Sequence, residues 1–317
     1  MTTSDTSPPP LRIALDVTAL LGPLTGVGVF VRELAAGLAR DEAIDLATFA
    51  VSWRGRRGLR AATPPGARPV SRPMPARLAR AAWRRGDHPW TRLLAGRADL
   101  VHGPNFVVPP GGGAAELVTV HDLTAVHYPQ MCTPDVLEWP DLLRRALRRG
   151  AWVHTVSDFV ADEVRDAFGV DPGRVLVVPN GTTPPGPDTE GRDGMTGRTL
   201  VGGDRYVLAL GTVDPRKDLT SLVAAFDLLA PEDPDLHLAV AGADGLGTPA
   251  LEAAIAASPH AHRIARIAEV DDDRRVALLR GASAVAYPSR YEGFGLVPLE
   301  AMAVGTPVVA TAAGAVP

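Results

Sequence analysis

A proline that has to sit in the first turn of a helix constrains this chain more than any other single residue. Pro298 has no amide hydrogen, so a helix carrying it must begin near Gly295 to Val297. The apolar run Ala282 to Tyr287 stops at Pro288 and Ser289 and reads as a buried parallel strand. Between strand and helix, Gly293, Phe294 and Gly295 form a tight turn running into Leu296. Glycines there let backbone amides approach a ligand, and the helix N-terminus beyond them suits an anion such as phosphate.

Glu300 sits on that helix with Leu296, Val297, Ala303 and Val304 three and four positions away, all apolar. A carboxylate on a core-facing stripe is costly unless hydrogen-bonded, and ribose hydroxyls would meet that need. Glu292 stands eight residues earlier in the turn. Taken singly, Glu300 is read as a complement to the helix dipole and Glu292 as a solvated loop charge. Taken with the glycines between them, the two favour a ligand site.

The run Glu292-Gly-Phe-Gly-Leu-Val-Pro-Leu-Glu300, two glutamates separated by seven residues and followed by Ala-Met-Ala, resembles the paired-glutamate motif of the retaining glycosyltransferases of family 4. That resemblance implies the fold called GT-B, with Glu292 beside the transferred sugar and Glu300 on the nucleotide ribose. Three further matches extend it. Gly211-Thr-Val-Asp-Pro-Arg-Lys217 resembles the family's phosphate-holding sequence, which implies that Arg216 and Lys217 grip the donor's phosphates. His121-Asp-Leu123 resembles the sequence whose histidine lies beside the sugar, and His127-Tyr-Pro129 the loop bordering the acceptor. Thr25-Gly-Val-Gly28 resembles a cleft-facing glycine loop, so Gly26 and Gly28 join the donor candidates. Read as residues alone, Gly26 and Gly28 equally fit a plain strand-to-helix turn ahead of a helix from about Val29 to Arg40. Val31 stands where a dinucleotide fingerprint needs its third glycine.

The 317 residues suffice for two domains, and 46% hydrophobic against 21% charged residues describes a globular chain. A net charge of −4 gives no sign of a nucleic-acid partner. The one cysteine, Cys132, excludes an intrachain disulfide and a cysteine-based zinc cluster and fits a reducing cytoplasm. No stretch approaches the roughly 18 apolar residues of a membrane span. The arginine-rich segment Arg54 to Arg97, interleaved with Trp53, Trp83 and Trp90, suggests peripheral contact with an anionic membrane face, against the plainer reading of a solvated helix and loop.

Along the chain, strands are expected at Leu11 to Val17, Asp45 to Val51, Asp99 to His102, Leu117 to His121, Trp152 to Val156 and Arg174 to Val178. Short helices are expected at Ala76 to Arg85 and Thr91 to Ala95, and a longer one over Thr133 to Arg149 with Leu137 and Leu142 on its buried face. Ser157 caps the helix after Val156. Residues 182–204, poor in apolar side chains, read as a linker between an acceptor-side domain, 11–181, and a nucleotide-sugar domain, 205–317; residues 1–10 read as a disordered tail. Strands restart at Arg205 to Thr212, Leu236 to Ala241 and Ile264 to Val270, with Asp218 placed to cap the helix after Lys217. Asp271 to Asp273 read as a helix cap rather than a metal site.

The expected fold is therefore α/β, with two Rossmann-like domains facing across a cleft. The expected activity is transfer of a sugar, with retention, from a nucleotide-sugar to a hydroxyl acceptor such as a glycan, a lipid-linked glycan or a small molecule, with no metal or cofactor. Around His121 to Pro129 the resemblance is strongest to mannosyltransferase-like members that build surface polysaccharides. A catalytically silent nucleotide-sugar-binding regulator and a sugar-nucleotide epimerase share much of the pattern. Because Pro307 to Ala310 reads as a strand and the sequence stops soon after, the second domain is expected to be incomplete at its C-terminus.

Overall fold

The structure is a computed structural model that describes residues 8–22, 24–188 and 190–317, with the side chain of Arg56 also outside the description. The tail expected over 1–10 thus lies mostly outside the described residues. The chain divides into two compact units, one of residues up to Val126 with Thr133–Val178, the other of His127–Cys132 with Pro179–Pro317.

The first unit holds seven parallel strands: β1 (Leu11–Asp16), β2 (Ile44–Phe49), β3 (Arg68–Val70), β4 (Leu100–Gly103), β5 (Ala115–Val120), β6 (Trp152–Thr155) and β7 (Val175–Val177). Their order across the sheet is β3-β2-β1-β4-β5-β6-β7. Strand periodicity puts alternate side chains on opposite faces, and both faces are apolar. Ile13 and Leu15 pack with Val31 and Ala35 of the helix Gly26–Ala39, while Ala14 joins Val101, Val118 and Val153 beneath Trp83 and Leu143. β3 emerges from the stretch left without an assigned strand. Its Pro69 is tolerated because β3 is an edge strand, paired only with β2.

The second unit holds β8 (Arg205–Leu210), β9 (Leu236–Ala241), β10 (Ile264–Ile267), β11 (Ala284–Tyr287) and β12 (Val308–Ala310), all parallel, ordered β10-β9-β8-β11-β12. Leu208 and Leu210 face one core and Ala209 the other.

Several expectations need correction. Residues 182–204 contain the helix Arg192–Val201, whose Gly194 and Gly197 press against the helix Asp272–Gly281. The sequence hid it because its packing face is made of glycine. The helix expected over Thr133 to Arg149 begins only at Trp139, since Pro140 must lie in a first turn; Leu137 falls outside it and is exposed. The helix expected from Val29 starts at Gly26, because the Thr25 hydroxyl accepts from Gly28 N at 3.4 Å and caps it. Gly26 and Gly28 are thus helical residues, and a Cβ on Gly28 would lie 2.9 Å from Leu24 Cδ1. Trp83 is core, its indole N–H donating to Pro89 O at 3.1 Å, so Trp53 is the exposed member of the three tryptophans singled out.

Gly197 yields a test of the helix pairing. A Cβ there would sit 2.2 Å from Ala277 O and 2.7 Å from the Tyr206 hydroxyl oxygen, which itself donates to Leu278 O. Gly197→Ala should lower stability by about 1–3 kcal/mol in urea unfolding, despite alanine's better helix propensity. An unchanged or raised midpoint would show that the two helices do not pack this closely.

Candidate active site

The second sheet changes direction at β8: the chain runs outward through β9 and β10, then crosses back to place β11 and β12 on the other side. In open α/β sheets, ligands bind beyond the carboxyl ends of the strands at such a switch point. The two loops that leave it are Gly211–Asp218 after β8 and Pro288–Gly295 after β11. Between them they carry most of the donor-side candidates.

The loops are joined by charge. Glu292, 5% exposed, places Oε2 2.7 Å from Arg216 Nη1 and Oε1 2.6 Å from Lys217 Nζ. Lys217 Nζ also donates to the Tyr287 hydroxyl at 2.9 Å and lies 4.4 Å from that ring's centroid. Arg216 Nη1 reaches Tyr291 O at 3.3 Å. Burial alone would push the Glu292 carboxyl up, but the adjacent Lys217 and Arg216 charges outweigh it and hold it down at about 2. Burial likewise lowers the Lys217 ammonium, opposed by Glu292 and, more weakly, by Asp214. Tyr287 is pushed up by burial first and Glu292 second, so its hydroxyl stays protonated.

The backbone presents these groups through two strained turns. Arg216 and Lys217 lie in the single turn Pro215–Lys217, which ends on Asp218 with φ +50°, a left-handed conformation uncommon outside glycine. Contrary to expectation, Asp218 does not cap the next helix through its side chain. Its carboxylate takes a bidentate pair from Arg290, at 2.9 and 3.0 Å, and Arg290 N donates to Arg216 O at 2.8 Å. Neither contact was foreseen, although Arg290 stands two residues from Glu292. Gly211, with φ +133°, lines a small pocket with Thr212, Lys217, Tyr287 and Ser289. Gly293 is buried and Phe294 half-buried, and Gly295 at φ +104° ends the turn so that the helix Leu296–Ala303 starts where Pro298 requires. Gly314 is the close neighbour: a Cβ there would lie 2.2 Å from Glu292 O.

Glu300 lies on that helix, half-buried, and its Oε2 accepts from Arg275 Nε at 2.9 Å and from Arg275 Nη2. The helix stripe foretold a hydrogen-bonded carboxylate but not this partner, which lies 25 residues away in sequence. Asp271 accepts from Arg274 N at 2.8 Å, a capping bond as expected.

His121, Gly26 and Gly28 lie in the first unit. His121 Nε2 is 2.8 Å from Pro104 O, an acceptor only, so Nε2 carries the proton and Nδ1 does not. Burial lowers its pKa, and Phe30 meets it edge-on at 5.0 Å. The imidazole is therefore neutral. His102, burial-depressed to about 3, and His154 flank Thr119 at 2.8 and 3.0 Å in an interior hydrogen-bonded chain. His127 and Tyr128 belong to the second unit, where they pack against the Tyr291 ring at 5.9 and 5.4 Å.

Residues 24–185, half of the chain, match the family described as Glycosyltransferase Family 4. The chain belongs to that family. Residues 197–317 match the family described as Glycosyl transferases group 1, which spans the β8 and β11 loops. A D-inositol 3-phosphate glycosyltransferase of Actinosynnema mirum is 39% identical over 51% of this chain and 41% of its own length. An O-antigen chain mannosyltransferase B of Escherichia coli is 29% identical over 66% of this chain and 56% of its own. The chain thus spans about half the length of these relatives. Sucrose-phosphate synthase from Thermosynechococcus elongatus superposes with TM-score 0.70 at 21% identity, over 96% of this chain and 82% of that one, which shows the GT-B fold. No helix among the described residues is long and apolar enough to cross a membrane.

The Glu292 carboxylate makes a pH prediction. Its folded pKa, about 2, lies below the roughly 4.3 of an unfolded glutamate. Its contribution to stability is therefore complete above pH ~4.3 and is lost as pH falls through about 2. Acid unfolding of Glu292→Gln should show less of this loss, while at pH 7 the variant should be less stable by about 1–3 kcal/mol, because two half-buried cations lose a shared carboxylate. Equal stability at pH 7 would mean that the three charges are not in contact.

Proposed function

We propose that this family 4 protein transfers a sugar, with retention, from a nucleotide-sugar to a hydroxyl acceptor. The observation that carries the reading is the convergence of two cations, Arg216 and Lys217, on Glu292 at the switch point beside a glycine-opened helix N-terminus. A diphosphate fits such a place, through the bidentate guanidinium, the ammonium and the first amides of the helix. Glu300, oriented by Arg275, would receive the ribose hydroxyls, and Glu292 would border the sugar.

In this account the anomeric carbon–oxygen bond breaks with its electron pair going to the leaving phosphate oxygen. Arg216, Lys217 and the helix amides stabilise the charge that grows there. The acceptor oxygen bonds to the anomeric carbon on the same face, and its proton passes to the departing phosphate, so no protein base is required. The basic pair supplies the counter-charge that a divalent ion would otherwise provide, and activity should survive a chelator. Activity abolished by EDTA and restored by magnesium or manganese would contradict this.

The named relatives act on inositol 3-phosphate and on O-antigen chains, which supports acceptors that are glycans or polyols. Peripheral membrane contact would fall to exposed Trp53, Leu78 and Leu93 amid their neighbouring arginines, tested by sedimentation with anionic vesicles.

Arg216→Ala and Lys217→Ala should each cut turnover by about 10²-fold or more with little change in acceptor KM, since both act on charge that develops in the transition state. Glu300→Gln should weaken nucleoside diphosphate affinity by about tenfold. Turnover and melting temperature measured together decide the point: activity losses that merely follow unfolding would make these residues structural.

A further inference from the structure

Of the 32 basic residues in the sequence, 31 are arginine and Lys217 is the one lysine. Arg216, its neighbour on the same carboxylate, is a guanidinium like all the rest. Residue 217 is therefore the one place where a compact ammonium on a flexible stem stands instead of a planar fork. Its surroundings give the reason.

Tyr287, the last residue of β11 and 4% exposed, accepts from Lys217 Nζ through its hydroxyl at 2.9 Å and places its ring centroid 4.4 Å from the same nitrogen. Glu292 Oε1 accepts from Nζ at 2.6 Å. An ammonium has three N–H groups, and these two acceptors use two of them. The Tyr287 ring is itself held: it packs with Leu208, Leu210 and Val285 in the core, and Thr311 N donates to its carbonyl at 3.2 Å. A phenylalanine would fill that core equally well and keep the ring face under the ammonium. The hydroxyl therefore serves the lysine, not the packing. With Glu292 alone, the four-carbon stem could pivot about one contact; the second contact fixes its direction. Room for a larger cation is lacking. The cavity beside Lys217, walled by Gly211, Thr212, Tyr287 and Ser289, measures ≈ 10 Å³, about the space of one water. An arginine at 217 would carry further nitrogens past the point where Nζ ends, into the Tyr287 hydroxyl and the Glu292 carboxylate.

We propose that Tyr287 is a positioning residue: its hydroxyl and ring face aim the remaining N–H of the Lys217 ammonium and restrict position 217 to lysine. The inference rests on the transferase reading above for what that N–H meets, an oxygen of the leaving phosphate, and adds the residue that aims it.

Because Lys217 is the one lysine, the full chain grown on ¹³C-labelled lysine gives a single side-chain signal set, and its Cε shift against pH reports that ammonium alone. The charged groups facing it are Glu292 and Asp214, which favour the ammonium, and Arg216, which opposes it. Tyr287→Phe removes an acceptor of the charged form, so the Lys217 midpoint should move to lower pH with little change in melting temperature. Turnover of a nucleotide-sugar should fall by about tenfold or more in Tyr287→Phe and in Lys217→Arg, with acceptor KM unchanged. In a Lys217→Met background, adding Tyr287→Phe should cost less than about twofold more, since the hydroxyl then has no ammonium to aim. A midpoint that stays or rises, a fully active Lys217→Arg, or an equal Tyr287→Phe loss in both backgrounds would overturn the proposal. A wild type that binds none of UDP, GDP and dTDP would instead sink the transferase reading, and the Cε titration would still decide whether Tyr287 holds the ammonium.

Discussion

The second unit is arranged around one carboxylate held between two cations. Glu292 can remain ionised at 5% exposure only because Arg216 and Lys217 are both within hydrogen-bond reach, and they come within reach only because β8 and β11 are adjacent strands. Desolvation and Coulomb attraction are each large here and opposed, and the depressed Glu292 pKa shows which prevails. The contact also sets the backbone. Left-handed Asp218, the Arg290–Asp218 pair and the Arg290 N bond to Arg216 O fasten one loop to the other, so the basic pair is held in place before any ligand arrives. Preorganised charge of this kind acts on a transition state without the cost of reorganising a solvent shell.

Both sheets carry a topological switch point, at β1 in the first and at β8 in the second. At the switch point of the second sheet the surplus is cationic, suited to a leaving diphosphate. What such a point can bind follows from which side chains the strand ends carry, not from the sheet itself.

What the sequence revealed depended on how local the cause was. Pro298 fixed the helix start, Ser157 and Asp271 announced their caps, and the strand end at Tyr287 followed from an apolar run meeting proline, whereas the strand from Arg205 stops at Leu210, two residues before the expected Thr212. The paired glutamates and the Arg-Lys pair were legible as motifs, and the structure brings Glu292, Arg216 and Lys217 together. Causes remote in sequence were not legible. Nothing within a few residues of Glu300 points to Arg275, and nothing around Gly194 and Gly197 signals that their bare surface admits another helix. Trp83 illustrates the limit of compositional reading: among arginines it suggested a membrane face, yet its ring is 2% exposed in the core.

The central claim is that Arg216 and Lys217 bind a diphosphate while Glu292 keeps them in place. Calorimetric titration of UDP, GDP and dTDP into wild type and Lys217→Met, at low and moderate salt, tests it most directly. The account predicts that at least one of these diphosphates binds the wild type, that affinity falls as salt rises, and that Lys217→Met loses about tenfold or more with a weaker salt dependence. Equal affinity and equal salt dependence in the two proteins would contradict it, because the ammonium beside Glu292 would then contribute nothing to holding the phosphates.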